Sequence, residues 1–544
     1  MHDFTVDSSV RCSWQREKGA ARCWALARQC VLALSLTIAC QSAPPQAMYR
    51  IKPLGSPRDC SFYGWPARVV GFNEAGQMAG TAKCALRLGT VSKRTFLWKN
   101  NGTPMVDLGP PEVGSVSYGA GINASGLVTG DAQDSTGEFA FLSSGDGTPM
   151  RRIYDVFGGS QIYPAAINDL GQLTGLADLA GDVAYHAFVW KNDGTPMRDL
   201  GTLGGDSSLG SAINASGQVA GRAEVIPGTK NTHAFIWKND GTPMLDLGTL
   251  GGDYAGATFI NASGQTAGES CTVQSTPCHA HAFFWRNDGT PMQDLGTLDL
   301  GTLGRGVESD VSAFNNSGQI AGISYTNGNA NRRAFVWMND GTPMKDLGTF
   351  GGADSYATDI NASGQVTGTA YLAGNAVYRA FLWRNDGTKI HDLNTLIDPT
   401  DPLKPYVTLT NGYFINDRGD ILAHGVDSRM GTSGLYVLQG TVLTLSPHSL
   451  AFGNRPIHTA SAAKSVTLTN TSAKVVAITS IALTGSGSGQ FASTNNCGNS
   501  LVGHATCAIK VTFKPTTKGA KTAFVKVNGG SSGLTSIKLT GTGT

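Results

Sequence analysis

The chain has 544 residues, too many for one compact core, so several domains or a repeat array are expected. Charged residues make up only 15% against a usual share of about 25%, while the 71 glycines are nearly twice the usual share of about 7%. With 41 basic and 39 acidic residues, the formal net charge of +2 provides no basic field for nucleic acid. The composition therefore favours a turn-rich soluble protein and disfavours nucleic-acid binding.

Residues 1–47 differ from the rest of the chain. Basic residues precede the apolar run VLALSLTIA (Val31–Ala39), and small residues and prolines follow it, which is typical of a secretory signal peptide. The run is too short for a bilayer core, which needs about 20 residues, and no other segment could cross a membrane. We therefore expect secretion. Cys40 leaves open a lipoprotein anchor, although Thr37 stands where such sites usually carry Leu.

The cysteines beyond this leader form three close pairs in the sequence: Cys60 with Cys84, Cys271 with Cys278, and Cys497 with Cys507. An even number of cysteines in nearby pairs, in an exported chain, predicts local disulfides. A zinc site would need C-x-x-C clustering with histidine or further cysteine, which the sequence lacks.

Most of the chain repeats one pattern. An Asn followed three residues later by Gly recurs at Asn73, Asn123, Asn168, Asn214, Asn261, Asn315, Asn361 and Asn416. A second marker, GTPM, begins at Gly102, Gly147, Gly194, Gly241, Gly289 and Gly341 and has become GTKI at Gly387. Regular spacing of this kind indicates a repeat architecture.

Each unit contains four short apolar pieces separated by turns, such as MRDLGTL, GSAIN, GQVAGRAEV and HAFIW. None is long enough for an ordinary helix. The NASG and KNDG segments suit tight turns that end on a Gly with positive φ, and Asn-Asp-Gly between β-type runs predicts a hairpin. We expect the repeated Asn to cap its turn, in preference to serving as the glycosylation acceptor that N-A-S also matches.

The aromatic piece AFVW is apolar on both faces of a strand, so this strand should be buried on two sides. A repeated four-stranded sheet covered on both faces predicts a β-propeller of about eight blades, with seven blades or a β-solenoid as alternatives. MYRIKPLG (Met48–Gly55) opens the first unit. A ninth copy of the first strand, GTVLTLS (Gly440–Ser446), could pair with the first blade and latch the ring.

HAFVW, DLGTLGG and AINASGQVAG resemble the HAF-type extracellular repeat of bacterial exported proteins, over roughly residues 48–440. This resemblance implies an exported, repeat-built surface protein with no assigned biochemical role. It brings no catalytic residues with it.

A different composition begins near Leu445, where short alternating runs such as SVTLTN, AIKVTFKP and TAFVKVN predict a β-sandwich of about 100 residues. This region resembles the Hydin-like (ASH, choice-of-anchor) immunoglobulin-type domain, which implies that Cys497 and Cys507 pin a loop within the sandwich. The predicted organisation is a leader (1–47), a propeller (48–444) and a sandwich (445–544), all-β throughout.

Candidate site residues are few, and we assign none to catalysis, cofactor binding or metal. The repeated Asp199, Asp246, Asp294 and Asp346 could form a ring of Ca²⁺ ligands, but an Asp beside a Gly-rich turn more often caps backbone N–H groups. His279 and His281 could hold a metal on one strand face, yet His281 belongs to the ordinary repeat HAF. GTLGGD lacks the Lys and Ser/Thr of a phosphate loop.

Two functions remain open. The first is an exported, non-enzymatic binding or surface protein, a monomer whose propeller presents a face to an extracellular ligand such as a glycan or another surface protein. Its sandwich would act as a spacer or anchor. The second is an extracellular enzyme acting on polysaccharide at the axial end of the propeller. An enzyme should gather non-repeating polar residues in one pocket, whereas a binding protein should spread them over a rim.

Overall fold

The structure is a computed structural model that describes residues 49–55, 60–61, 68–85, 91–110, 115–154, 157–274, 278–298, 305–326, 331–399, 401–440, 443–447, 449–470, 475–503, 505–529 and 534–544. The predicted signal peptide and Cys40 lie outside these residues. Within them, no helix has the length and apolar character that crossing a membrane requires.

Eight antiparallel sheets follow one another along the chain after the N-terminal strand β1 (Tyr49–Pro53). The first sheet contains β2 (Cys60–Ser61), β3 (Arg68–Phe72), β4 (Met78–Ala85), β5 (Val91–Trp98) and β6 (Val106–Asp107), and the second contains β7 (Val116–Ile122), β8 (Val128–Asp134), β9 (Gly137–Ser143) and β10 (Arg151–Ile153). The third sheet contains β11 (Gly158–Ile167), β12 (Leu173–Leu179), β13 (Tyr185–Trp190) and β14 (Arg198–Asp199). The fourth sheet contains β15 (Ser208–Ile213), β16 (Val219–Glu224), β17 (Thr232–Trp237) and β18 (Leu245–Gly248).

The next four sheets have the same order. The fifth sheet contains β19 (Ala255–Ile260), β20 (Thr266–Cys271), β21 (Ala280–Trp285) and β22 (Gln293–Asp294), and the sixth contains β23 (Arg305–Phe314), β24 (Ile320–Thr326), β25 (Asn331–Trp337) and β26 (Lys345–Asp346). The seventh sheet contains β27 (Gly351–Ile360), β28 (Val366–Leu372), β29 (Tyr378–Trp383) and β30 (His391–Asp392). The eighth sheet contains β31 (Val407–Ile415), β32 (Ile421–Asp427) and β33 (Thr432–Gly440). A short 3-10 helix, Leu393–Leu396, precedes the last of these sheets.

The eight sheets form a closed β-propeller. The first strand of every blade contacts the first strand of the next, and β31 of the eighth blade contacts β3 of the first. The predicted propeller is confirmed. The seven-bladed and solenoid alternatives are excluded, because eight sheets lie in the ring and its ends meet.

The ring is latched differently from our prediction. β1 does not begin the first blade: it pairs antiparallel with β33 as the fourth strand of the eighth blade, with Ile51 opposite Leu438. Leu443–Ser446, expected to close the ring, instead pairs with Lys464–Asn470 in the C-terminal region. The apolar pattern of both segments predicts strands, which the structure confirms, but it does not identify the distant strand with which each one pairs.

The boundary between consecutive blades also lies at a different point of the repeat than predicted. The strand preceding the Asn turn lies at the inner edge of each sheet, and in the first seven sheets the short strand after GTPM or GTKI comes last, so PMxDLG completes the blade before it. The aromatic strand lies third and is buried on both faces as predicted; for example, Ala187, Phe188, Val189 and Trp190 are all buried.

The repeated Asn closes the turn between the first two strands. In the fourth blade, Asn214 Oδ1 accepts from the Gln218 and Ser216 backbone N–H groups, and its Nδ2 donates to Gln218 Oε1 at 2.8 Å. Gly217 donates to the Asn214 carbonyl and has φ of +73°, the left-handed conformation expected there. The capping role is therefore confirmed.

The same Asn also joins neighbouring blades, which was not predicted. Asn214 Nδ2 donates to the Asn261 carbonyl of the fifth blade at 3.0 Å. Equivalent bonds run from Asn73 to Asn123, Asn123 to Asn168, Asn168 to Asn214, Asn315 to Asn361, Asn361 to Asn416 and Asn416 back to Asn73. Between the fifth and sixth blades the link is instead Ala262 N donating to Asn316 Oδ1. All eight asparagines are 3–8% exposed, so these bonds are shielded from water.

A second link between blades is made by their outer strands, the third and the fourth. Arg151 stacks on Trp190, a cation on the fourth strand of one blade covering the aromatic ring on the third strand of the next. The same contact joins Arg198 to Trp237, Lys345 to Trp383 and Lys52 to Trp98, at 4.6–5.0 Å in all four cases. The second blade has Ser143 in place of Trp, and the preceding fourth strand has Val106 in place of the cation.

The C-terminal strands form a β-sandwich. They are β34 (Leu443–Ser446), β35 (Ser449–Arg455), β36 (Lys464–Asn470), β37 (Val476–Ala477), β38 (Ser480–Thr484), β39 (Phe491–Asn495), β40 (Ser500–Leu501), β41 (Thr506–Phe513), β42 (Gly519–Asn528) and β43 (Leu534–Gly543). Two four-stranded sheets, β34-β36-β41-β39 and β35-β43-β42-β38, share one apolar core, and a 3-10 helix spans Ser488–Gln490. Pairing thus begins at Leu443, two residues before our boundary; the division into domains stays a prediction.

Two of the predicted cysteine pairs are disulfides in the structure, Cys271–Cys278 and Cys497–Cys507. Cys84 is disulfide-bonded, and the ladder of β2 and β4 places Cys60 directly opposite it.

Replacement of one ring asparagine should weaken the whole propeller. Asn214→Ala removes the link to the fifth blade and leaves the Gln218 N–H without its acceptor, so we expect a loss of about 2–3 kcal/mol in the free energy of unfolding. Chemical denaturation measures this loss. Ser216→Ala changes an exposed residue of the same turn and should stay within about 0.5 kcal/mol of wild type. Equal midpoints for both variants would contradict the linking role.

The latch can be tested by truncation. A chain starting at Ser56 lacks β1 and exposes the edge of β33, whereas a chain starting at Met48 keeps it. Loss of the buried Tyr49, Ile51 and Leu54 should cost about 5 kcal/mol, lowering the melting temperature and promoting aggregation, as followed by thermal unfolding with light scattering. Identical melting of the two chains would show that β1 does not close the ring.

Candidate functional site

The two ends of the propeller differ in sequence. One end carries the repeated turns: the Asn turn lies beside the Asn-Asp-Gly turn, as when Asn239 Nδ2 donates to the Ser216 carbonyl. We call the opposite end, where the second strand passes to the third and each blade passes to the next, the variable end. Its loops between the second and third strands differ from blade to blade, for example 225–231 and 373–377, whereas several of its connections between blades share the GTLGG segment. Ligand specificity is therefore sought at the variable end.

A cavity of about 800 Å³ lies among the sixth, seventh and eighth blades and reaches Val69 of the first. We call it the tyrosine cavity. Its lining comprises Val69, Ser312, Ile323, Arg332, Tyr356, Ala357, Thr358, Thr369, Tyr371, Tyr378, Asn411, Tyr413 and Phe414. This volume suits a small molecule or a few units of a polymer.

Three of its tyrosines form a continuous aromatic surface. The rings of Tyr371 and Tyr378 face each other across β28 and β29, with centroids 5.3 Å apart and planes tilted by 46°. Tyr356 on β27 continues the surface, 6.4 Å from Tyr371 at a tilt of 58°. Burial raises the pKa of Tyr371 and Tyr413 above the ordinary value, so both phenols stay protonated at neutral pH and can donate hydrogen bonds.

Arg332 provides the guanidinium among the described residues of this lining. Its Nη1 donates to the Tyr356 hydroxyl at 3.4 Å, and the group lies over the Tyr325 ring at 5.2 Å. The hydrogen bond to Tyr356 is the main cause that raises the pKa of Arg332, which is therefore a permanent cation. Its backbone N–H donates to Asp354 Oδ1.

Carboxylates lie close to this arginine but do not line the cavity. Burial raises the pKa of Glu269 to about 7, and the charge of Asp310 adds to the effect. Burial and Glu308 raise the pKa of Asp310, while Arg332 acts in the opposite direction. The positive charge of Arg332 is thus partly offset by Asp310 of the sixth blade.

Asn411 and Thr369 fix the polar part of the wall. Asn411 is 4% exposed, and its Nδ2 donates to Thr369 Oγ1 at 3.0 Å. Ser312 and Thr358, on the first strands of the sixth and seventh blades, contribute further hydroxyls to the lining. The cavity thus combines aromatic faces with uncharged hydrogen-bonding groups.

The repeated aspartates that we considered for Ca²⁺ are not gathered at one point. Each caps the turn after it, as when Gly201 N donates to Asp199 Oδ1 at 2.7 Å, and the same bond is made by Asp246, Asp294 and Asp346. Each also meets a basic side chain of the third strand: His186, His233, His281 and Arg333 respectively. Burial opposes ionisation of Asp199, but hydrogen bonds from His186 and Gly201 outweigh it and hold its pKa below the ordinary value.

His281 is therefore occupied by Asp294, with Nδ1 at 2.9 Å from Oδ1, as expected for the ordinary HAF repeat. In the part of the chain that the structure describes, no three His, Cys, Asp or Glu side chains lie close enough to hold a metal ion. The GTLGG segment closes on itself, with Thr202 Oγ1 donating to the Gly205 carbonyl.

None of the cavity residues was predicted. Tyr325 with Arg332, and Tyr371 with Tyr378, occupy the same cross-strand position in consecutive blades. In other blades this position holds Gln133 with Glu138, Asp178 with Tyr185, Glu224 with Thr232 and Cys271 with Ala280. A sequence signal for these residues exists: the residue pair at this position changes in every blade, whereas the Ala-Phe and Ala-Gly segments beside it recur.

No protein-family model matches the chain, and no curated protein matches it. Among solved structures, it is similar to the β-propeller domain of the Trilobed protease from Pyrococcus furiosus, with 12% identity, 65% of this chain and 100% of that chain covered, and a TM-score of 0.36. A structure of two prolyl endopeptidases gives 8% identity, 78% and 54% coverage, and a TM-score of 0.36.

An ASH/PapD-like domain of human CEP192 is similar over 19% of this chain and 86% of that one, with 16% identity and a TM-score of 0.15. The HAF-type resemblance stays a prediction. At these identities and scores, no activity of these proteins is transferred to this chain.

The raised pKa of Glu269 predicts a pH-dependent stability. Because its folded pKa of about 7 exceeds the ordinary 4.5, the folded state binds the extra proton, so this stabilisation is complete below pH 4.5 and is lost as pH rises to 7. Relative to wild type, Glu269→Gln should therefore gain about 2 kcal/mol between pH 5 and pH 8, measured by chemical denaturation. The gain should be smaller in an Asp310→Asn background. Parallel stability curves would contradict the shift.

Proposed function

We propose that this chain is an exported, non-enzymatic binding protein whose propeller holds an extracellular ligand in the tyrosine cavity, with the C-terminal sandwich as a spacer or anchor. One observation carries the proposal: a ring of nearly repeated blades contains one cavity-lining set of Arg332, Tyr356, Tyr371 and Tyr378 that the repeat does not explain. Aromatic and arginine side chains in a concave site are typical of ligand recognition.

Export is supported by two observations. The sequence begins with the pattern of a secretory signal, and the disulfides Cys271–Cys278 and Cys497–Cys507 suit an oxidising environment.

Binding without turnover is supported by the composition of the cavity. Among the described residues its lining contains no carboxylate, histidine or cysteine, the side chains that could serve as a strong base for activating its Ser or Thr hydroxyls. The His–Asp pairs recur at one position in three consecutive blades, Arg takes the place of His at Arg94 and Arg333, and the Asp caps the turn between blades.

The alternative is an extracellular enzyme acting on polysaccharide at this same end. Two observations favour it: the non-repeating residues converge on one cavity, as expected of an enzyme, and Glu269 and Asp310 provide neighbouring carboxyl groups with raised pKa values. A carboxyl that titrates near pH 7 is suited to general acid chemistry.

A binding screen with product analysis distinguishes the two functions. The purified full chain, tested against soluble polysaccharides and extracellular proteins, should show saturable binding and release no new reducing ends or peptide termini. Tyr371→Ala combined with Tyr378→Ala should weaken binding by about tenfold or more. Tyr118→Ala is the matched control, because Tyr118 has the position of Tyr356 in the second blade but lies outside the cavity.

Release of products that is lost in Glu269→Gln would establish the enzymatic alternative. Binding that the paired tyrosine variant leaves unchanged would show that the ligand lies elsewhere on the propeller.

A further inference from the structure

We infer that the ligand of the tyrosine cavity is an uncharged segment of a polysaccharide, held with its sugar rings against Tyr371 and Tyr378. The inference rests on the proposed function and adds the chemical class of the ligand. It follows from three properties of the cavity: its aromatic faces, its balanced charge and its hydroxyl and amide groups.

The aromatic faces are suited to the apolar side of a sugar ring. The Tyr371 ring is tilted by 58° to Tyr356 and by 46° to Tyr378 rather than stacked in parallel, and all three residues contribute to the cavity wall. The negative face of an aromatic ring attracts polarised C–H groups, and a pyranose ring presents several such groups on one side. Tyrosine adds a hydroxyl at the edge of that contact.

A cationic ligand is disfavoured because the cavity already contains a cation. The Arg332 guanidinium lies 5.2 Å from the Tyr325 ring centre and 6.0 Å from that of Tyr356. A second positive group on these rings would be repelled at short range.

An anionic ligand is disfavoured because, among the described residues that line the cavity, Arg332 has no second cation beside it and two carboxylates lie close to it. Asp354 accepts a hydrogen bond from its backbone, and Asp310 interacts electrostatically with its guanidinium. Glu308 adds negative charge beside Asp310, whereas Glu269, with a pKa of about 7, is only partly ionised at neutral pH. A carboxylate or sulfate approaching Arg332 would be repelled by the charges of Asp310 and Asp354 behind the cavity wall, so the balance favours a neutral ligand.

The remaining lining favours a hydroxyl-rich ligand over a purely apolar one. Asn411, held by Thr369, together with Ser312 and Thr358, lines the wall with amide and hydroxyl groups. Asn411 already donates to Thr369, and Thr358 Oγ1 donates to the Thr367 and Gly412 carbonyls. A lipid chain could not use the remaining hydrogen-bonding capacity of these groups. The hydroxyls of a neutral sugar can replace the displaced water.

The test is a comparison of ligand classes on the full chain. Calorimetric titration should use neutral polymers (dextran, mannan, galactan and xylan), acidic polymers (alginate, polygalacturonate and hyaluronate), cationic chitosan and an unfolded polypeptide such as casein. We expect binding of at least one neutral polymer and at least tenfold weaker binding of the charged polymers and casein.

Variants connect this preference to the cavity. Tyr371→Ala should weaken binding of the neutral polymer by about tenfold, Tyr371→Phe should stay within a few-fold because the ring face is kept, and Tyr118→Ala should match wild type. Thermal unfolding verifies that each variant is folded.

The outcomes distinguish the inferred class of ligand from the proposed binding site. Preferred binding of an acidic polymer, chitosan or casein that is lost in Tyr371→Ala would overturn the ligand class and keep the proposed site. Neutral-polymer binding that is unchanged in Tyr371→Ala would overturn both the inferred contact and the proposed site. Absence of binding to every neutral polymer would overturn the inference.

Discussion

The side chain of one asparagine in each blade determines both the local turn and the joining of the ring. Its oxygen accepts from the backbone of its own turn, and its nitrogen donates to the corresponding Asn carbonyl of the next blade in seven of the eight junctions. Both ends of the amide are buried and satisfied, so an exchange for another residue costs hydrogen bonds in two blades at once. The persistence of Asn-x-x-Gly through diverging blades follows from this double role.

The other repeated positions have comparable tasks. The aromatic third strands fill the spaces between sheets, and at four junctions a Lys or Arg of one fourth strand covers the Trp of the next blade. Leu245 and Gln293 take the place of this cation before Trp285 and Trp337, and both the cation and the Trp are absent where Val106 precedes Ser143. Repetition in this chain therefore marks contacts between blades, and the polar residues it multiplies support structure rather than chemistry.

Residues that make no such contacts between blades differ from one blade to the next. The cross-strand position of Tyr325 with Arg332 and Tyr371 with Tyr378 contributes to neither the Asn ring nor the Trp contacts, and it changes in every blade. A ring of eight such positions offers many surfaces on one scaffold. Where the sixth, seventh and eighth blades meet, aromatic residues and an arginine line one cavity, so the candidate site arises from the order of the blades around the axis.

The amino-acid pattern alone determined the strands, their turns, the eight units, the β-sandwich and the capping role of residues such as Asn214 and Asp199, because each depends on interactions within about five residues or on a repeat that the sequence displays directly. The tertiary structure decided what depends on distant pairing. It placed β1 against β33, assigned PMxDLG to the preceding blade and joined Asn416 to Asn73. It also brought Arg332, Tyr371 and Asn411 together. These residues meet because ring closure and the packing of adjacent sheets bring separate strands into contact, and no periodicity along the chain encodes which distant edges pair.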